Sequence, residues 1–341
     1  MIIEMKIGAT AEELSAIIAR VEELGFETQV NKGEQRTVIG VFGSKTGQLD
    51  TGNFEVMSGV EQVVRMTKPY KLSSRDFKRD NTVVKVGDIE IGGKKLIMMA
   101  GPCAVEPDKE VTLFCARIAK QNGAQILRGG AFKPRKSPYA FQGLGEEGLK
   151  ILAEVRAKTG ILIVTEVVDK EDVDLVAEYA DILQIGTSNM GNARLLEAVG
   201  KTHKPVLLKR GLAATVEEWL QAADYILRNN GDKPNVILCH RGIRTFDGST
   251  RFTFDVGVIP VLRQLTHLPI ITDPSHSAGN YRYVSDYAKM AVAGGTDGLI
   301  IEIHPNPKKA LCDGAQSLTF SDFSRLSEEL KVIASAIGRS F

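Results

Sequence analysis

Eight short and almost wholly apolar runs follow one another along the chain, at 96–100, 124–127, 162–164, 182–185, 206–208, 236–238, 270–271 and 298–303. Most are too short for helices and too apolar for strands with one wet face. They read as parallel strands buried on both sides. Helical stretches lie between them, the clearest at 146–158, 215–229 and 284–293. Eight strand–helix units in about 250 residues predict a closed (β/α)8 TIM barrel, an α/β fold. A doubly wound open sheet is the alternative. No Gly-x-Gly-x-x-Gly follows the first run to support a dinucleotide fold.

Residues 1–68 follow a different pattern. A strand at 2–7 precedes a helix capped by Thr10, with Glu13 at capping-box spacing and Gly25 as the stop. Strand-like segments at 27–30 and 37–42 flank a turn at 31–34. A weak helical stretch at 51–57 and a strand at 60–66 complete a βαββαβ order, the ferredoxin-like pattern. Nothing catalytic stands out in it, so a regulatory or assembly role is the modest expectation. Residues 69–81 are polar and begin with Pro69, which reads as a linker. The catalytic part is then 82–341, opening with a small hairpin at 82–91.

Composition narrows the function. Lys plus Arg total 43 and Asp plus Glu 42, a net charge of +1, so bulk positive charge cannot hold a nucleic acid. Four widely spaced cysteines make no disulfide framework. No apolar run is long enough to span a membrane, and Met1-Ile2-Ile3-Glu4 lacks a signal-peptide layout. A cytoplasmic protein without nucleic-acid or membrane partners is expected.

In TIM barrels, the residues just past each strand's carboxyl end form one mouth. Those positions here give Cys103; Arg128 with Lys133 and Arg135; Glu166; Thr187-Ser188-Asn189; Lys209-Arg210; His240-Arg241; Asp273 with His276; and Glu302 with His304. Two subsets separate by chemistry. Cys103, His276, Glu302 and Asp313 offer a thiol, an imidazole and two carboxylates from neighbouring strand ends. That mixed set suits one divalent ion of the Mn, Fe, Co or Zn class rather than an all-oxygen magnesium or calcium site. Taken singly, Cys103 reads as a buried apolar thiol and Asp313 as a turn residue, so the case rests on the set. The second subset is Arg128, Lys133, Lys209 and Arg241, with Arg135 and Lys136 nearby. These cations repel one another unless an anion fills the mouth; each contact with one is worth roughly 4 kcal/mol at an effective dielectric near 20, before desolvation. A small, multiply charged substrate is the expectation.

Five motifs carry a family resemblance: Ala100-Gly101-Pro102-Cys103, Arg128 through Arg135, Leu207-Leu208-Lys209-Arg210-Gly211, Asp273-Pro274-Ser275-His276-Ser277 and Glu302-Ile303-His304-Pro305. Together they resemble type I 3-deoxy-D-arabino-heptulosonate-7-phosphate (DAHP) synthase, and the front module resembles the subgroup with an ACT-like feedback domain. The resemblance implies condensation of phosphoenolpyruvate with erythrose 4-phosphate and water, the first step towards aromatic amino acids. It implies Cys103, His276, Glu302 and Asp313 as metal ligands, the ion polarising the aldehyde. It implies Arg128, Lys133, Lys209 and Arg241 as the phosphoenolpyruvate clamp, with Pro134, Arg135 and Lys136 at the sugar-phosphate site. Lys133 (proton donor or relay), Glu166 (beside the reacting carbons) and His276 are the expected catalytic residues. Gly186, Thr187 and Ser188 form the substrate turn after the fourth strand. Family expectations also include an aromatic amino-acid inhibitor at the front domain and a homotetramer.

This sequence departs from the family pattern at four places. Ser188 stands where the family has a phosphate-gripping Arg, Lys136 follows Lys133-Pro134-Arg135 in place of Thr, Ala104 replaces Ser, and His240 replaces Glu. Two rival readings follow: a 3-deoxy-manno-octulosonate-8-phosphate synthase-like enzyme using arabinose 5-phosphate or another aldose phosphate, and a non-catalytic aromatic amino-acid sensor with a decayed barrel. Pro134-Arg135 and the front module argue against the first, and the complete donor set against the second.

Overall fold

The computed structural model describes every residue except 34, 35, 67, 136 and 231–233. Four strands, β1 (Ile2–Met5), β2 (Glu27–Lys32), β3 (Thr37–Phe42) and β4 (Val60–Val64), form the front sheet in the order β2-β3-β1-β4, with antiparallel neighbours. This is the ferredoxin-like arrangement expected from βαββαβ. Its long helix, Ala11–Glu23, begins at the predicted capping box: Glu13 N–H donates to Thr10 Oγ1 (3.2 Å) and Thr10 N–H to Glu13 Oε2 (2.9 Å). Gly25, at φ +78°, ends the turn in a conformation that costs other residues about 1–2 kcal/mol. Ile3, Met5, Ile39 and Val41 pack against Ile17, Val21 and Phe54 as a separate core. The expected turn at 31–34 begins later, because Asn31 and Lys32 continue β2; residue 34 is outside the described residues.

The segment 69–81 is no free tether. Tyr70, Leu72 and Phe77 are buried, together with Ile2 of β1. Asp224, on the helix Val216–Leu227, accepts backbone N–H groups from Lys71, Leu72 and Ser73 (2.5, 3.2 and 2.8 Å). Composition alone conceals this packing, since the binding carboxylate lies about 150 residues away.

All eight apolar runs are strands of one closed parallel barrel: β7 (Ile97–Gly101), β8 (Ile126–Arg128), β9 (Leu162–Val167), β10 (Ile182–Ile185), β11 (Val206–Lys209), β12 (Val236–His240), β13 (Ile270–Thr272) and β14 (Gly298–Glu302). The hairpin of β5 (Val84–Val86) and β6 (Ile89–Ile91) contributes Val84, Val86 and Ile91 to the barrel interior. Side-chain alternation divides each strand. Ile97, Met99, Ile126, Val164, Ile182, Leu207, Ile237, Cys239, Ile271 and Ile300 fill the interior. The residues between them face the surrounding helices, as Met98, Leu127, Ile163, Leu183, Leu208, Leu238, Ile270 and Ile301 do. Carrying the inward parity two residues onward reaches Arg128, Glu166, Gln184, Lys209, Arg241, Asp273 and Glu302. A two-residue period along buried strands thus aims one polar ring at the mouth. Among the described residues, no helix is long and apolar enough to cross a membrane.

Candidate active site and metal centre

Donor atoms of Cys103, His276, Glu302 and Asp313 all lie within 4.8 Å of one another. Cys103 follows β7, Glu302 ends β14, and His276 sits in the short helix Pro274–Ala278 after β13, where Asp273 caps the helix by accepting the His276 N–H (2.9 Å). Asp273 Oδ2 also lies 2.8 Å from His276 Nδ1, which leaves Nε2 facing Glu302 Oε1 (3.5 Å) and Asp313 Oδ2 (3.6 Å). A carboxylate behind a ligating imidazole fixes its orientation and raises its basicity. Asp313 has left-handed backbone (φ 51°), which turns its carboxylate into the cluster. Burial opposes charge on His276, yet Asp273 and Glu302 raise its pKa; burial likewise opposes ionisation of Asp313 and Glu302, yet His276 pulls both down. The four residues fit a divalent ion: two carboxylates held ionised, the Nε2 side of an imidazole and a thiol converge on one point.

The cations beside this cluster are less alike than the sequence suggests. Arg128 Nη1 donates to Glu302 Oε1 (3.0 Å) and to the Pro102 carbonyl (2.9 Å). Lys209 Nζ meets Asp273 Oδ2 at 2.5 Å, and Lys133 Nζ lies 3.3 Å from Cys103 Sγ. The mutual repulsion expected of four clustered cations is therefore already relieved at two of them by carboxylates, while Lys133 meets a thiol that its Cys312 contact and burial keep protonated. Arg241 differs. It is 4% exposed, and its Nε and Nη1 have no hydrogen-bond partner. Its guanidinium stacks over Phe252 at 4.0 Å, and burial lowers its pKa to about 10. A buried guanidinium with two idle donors is built to meet an anion from outside.

Glu166 is buried and accepts from Gln184 Nε2 (3.3 Å). Gly186 is glycine for this carboxylate: a Cβ there would stand 1.8 Å from Glu166 Oε1. Gly186→Ala is expected to displace Glu166 by an ångström or more and lower kcat about ten- to a hundredfold. Steady-state kinetics, with circular dichroism as the fold control, checks this; unchanged kcat would free Glu166 of any role.

Other mouth residues depart from expectation. His240 has outward parity: it stacks on Phe254 (5.7 Å), which stacks on Tyr287 (4.6 Å), so it belongs to the wall rather than the mouth. Arg210 also turns away, to Asp255 Oδ2 (3.1 Å) and the Ala214 carbonyl. Thr187 and Ser188 lie in a one-turn 3-10 helix at the rim, with Ser188 exposed. Pro134 is half-buried in the loop after β8, and Lys136 lies outside the described residues. Arg135 Nη2 contacts Cys312 Sγ (2.7 Å), itself 3.1 Å from Cys103 Sγ. Sequence reasoning passed over Cys312 and Gln316, whose Nε2 donates to Glu302 Oε2 (2.7 Å). Their closeness to Asp313 in sequence was the available signal.

Comparison with known proteins decides the family. The DAHP synthetase I family profile matches residues 76–338, and the DAHP synthase ferredoxin-like domain matches 1–68. The chain belongs to the DAHP synthetase I family. It is 46% identical over 338 residues to the phospho-2-dehydro-3-deoxyheptonate aldolase of Thermotoga maritima, covering 99% of each chain. The crystal structure of the DAHP synthase from that organism superposes with a TM-score of 0.78 at 45% identity, covering 99% of this chain and 98% of the other. A 2-dehydro-3-deoxyphosphooctonate aldolase of Citrifermentans bemidjiense is 32% identical over 275 residues, 98% of its own length but 75% of this chain. The octonate relative therefore leaves a quarter of this DAHP synthetase I family member unmatched, whereas the heptonate relative spans it.

Proposed function

We infer that this chain condenses phosphoenolpyruvate with erythrose 4-phosphate and water, giving DAHP and phosphate, as the first step of the shikimate pathway. The observation that carries the reading is Arg241, buried and unpaired, beside a four-donor cluster in a chain alike end to end with a heptonate aldolase. Cys103, His276, Glu302 and Asp313 would hold a divalent ion, which supplies Lewis-acid polarisation of the aldehyde. Arg241 takes the phosphate or carboxylate of phosphoenolpyruvate, with Arg128 and Lys209 completing the clamp. Lys133 stands between Cys103 and the incoming reactants. Although burial opposes its charge, Cys103 and Glu166 raise its pKa, so it serves as a charged hydrogen-bond and proton donor at the junction of the two substrates. Glu166 steers the water that attacks C2. Holding both phosphorylated reactants in one mouth supplies proximity. Pro134 and Arg135 begin the acceptor-phosphate site.

Phosphate release measured with each aldose phosphate tests the assignment. Turnover with erythrose 4-phosphate is expected; turnover with arabinose 5-phosphate alone would move the enzyme to the octulosonate class. Ser188 leaves the substrate turn one cation short of the family pattern. Ser188→Arg is expected to lower the KM for phosphoenolpyruvate about tenfold or more, as one added charged contact at the phosphate implies. An unchanged or higher KM would refute a missing contact there. Residues 1–68 act as the regulatory domain, answering to an aromatic amino acid in a cytoplasmic homotetramer. A chain beginning at residue 69 is expected to keep its turnover and lose inhibition by tyrosine or phenylalanine. Inhibition that survives the truncation would place the inhibitor on the barrel.

A further inference from the structure

Glu106 stands three residues beyond Cys103 and outside the four-donor set, yet it joins the two loops that carry donors from opposite sides. Its Oε1 accepts the Leu311 N–H (2.9 Å) and lies 3.2 Å from His304 Nε2. The ring's other nitrogen, Nδ1, accepts the Asn306 N–H (3.0 Å), so the ring proton sits on Nε2 and points at Glu106. One carboxylate oxygen therefore holds two donors. His304 follows Glu302 by two residues, and Leu311 precedes Asp313 by two. On its own side, the Cys103 segment is bound to the loop after β8, with Val105 N–H donating to the Gly130 carbonyl (3.0 Å) and Gly130 N–H to the Cys103 carbonyl (3.2 Å).

We propose that Glu106 is the positioning residue that fixes the Asp313 loop against the Cys103 loop, and thereby sets the affinity of the four-donor site for its divalent ion. The proposal rests on the reading of Cys103, His276, Glu302 and Asp313 as ligands. Asp313 adopts a left-handed backbone (φ 51°), which few non-glycine residues other than Asn and Asp visit. After Asp313, Gln316 N–H and Ser317 Oγ donate to its carbonyl (3.1 and 3.3 Å). Before it, Glu106 holds the Leu311 N–H, which is the backbone anchor on that side, and Cys312 Sγ lies 3.1 Å from Cys103 Sγ. Glu106 and His304 are both buried, so removing the carboxylate leaves two N–H groups unmatched in a site of low dielectric. The loop then relaxes, and the Asp313 carboxylate moves off the other three donors.

Two variants separate reach from charge. Glu106→Gln keeps an acceptor oxygen in place and removes the charge. Glu106→Asp keeps the charge and withdraws it by one methylene, beyond the span needed for both donors. Apo-protein is titrated calorimetrically with Mn2+. Its Co2+ form is followed through the thiolate charge-transfer band that reports the bond to Cys103. Positioning predicts Glu106→Gln within about threefold of wild-type affinity, and Glu106→Asp and Glu106→Ala weaker by about ten- to a hundredfold, with kcat recovering at saturating ion. The reverse order, Asp tight and Gln weak, would mean that the carboxylate acts through its charge and would overturn the proposal. Wild-type affinity in all three variants would overturn it while leaving the ligand assignment standing. Wild-type protein that takes up no ion would remove both. Should Glu106→Ala fail to fold, the Gln and Asp pair still decides.

Discussion

Replacing Cys103 or His276 by alanine is expected to lower divalent-ion affinity by more than about a hundredfold and to abolish turnover at ordinary metal concentrations, with the barrel intact. The size follows from the geometry. The four donors lie within 4.8 Å of one another, and two of them are held by neighbouring side chains: His276 by Asp273, and Glu302 by Gln316 and Arg128. Neither alanine opens a large cavity. Cys103 is a small side chain, and His276 keeps its backbone bond to Asp273 through N–H. Circular dichroism and thermal unfolding should therefore stay close to wild type. Chelator-competition titration measures the affinity and phosphate release the turnover. Wild-type-like turnover after rigorous chelation would contradict the metal reading.

Arg241→Leu is expected to separate binding from stability. In most buried ion pairs, removing one partner strands the other and destabilises the fold. Here Nε and Nη1 have no protein partner to strand, and the cation is held mainly by the Phe252 ring at 4.0 Å. Burying a guanidinium in that state costs free energy in the empty enzyme, as the fall of its pKa to about 10 reflects. A leucine of similar bulk should leave Tm unchanged or raise it by a few degrees. Phosphoenolpyruvate binding loses a desolvated charge contact of about 2–5 kcal/mol, which raises KM roughly thirtyfold to several thousandfold. A large drop in Tm with little change in KM would make Arg241 a structural residue.

Most of the barrel was legible because its strands are buried on both faces, which makes each an apolar run that no surface strand could tolerate. The front helix was legible through Thr10, Glu13 and Gly25, whose chemistry is local. Cys103, His276 and Glu302 were legible because they sit at or just past strand ends, where this fold gathers its side chains, whereas Asp313 lies in the loop beyond the last strand. His240 and Arg210 were misplaced for a reason visible afterwards. Neighbours along a strand face opposite ways, so only one residue of Lys209-Arg210 and one of His240-Arg241 can enter the mouth. Counting inward parity from Leu207 and Ile237 selects Lys209 and Arg241. The neutralisation of Arg128 and Lys209 was not legible, because Glu302 and Asp273 meet them only through barrel closure. The same holds for Asp224 on the 69–81 segment and for Glu106 on the Asp313 loop. Such contacts join residues far apart in sequence and leave no periodic trace.

Anomalous diffraction at the Mn absorption edge, from crystals grown with Mn2+ and phosphoenolpyruvate, tests the central claim most directly. The account predicts one strong peak within about 2.0–2.4 Å of Cys103 Sγ, His276 Nε2 and carboxylate oxygens of Glu302 and Asp313. It also predicts substrate density against the idle donors of Arg241. A peak elsewhere, or an Arg241 still without a partner beside bound substrate, would contradict it.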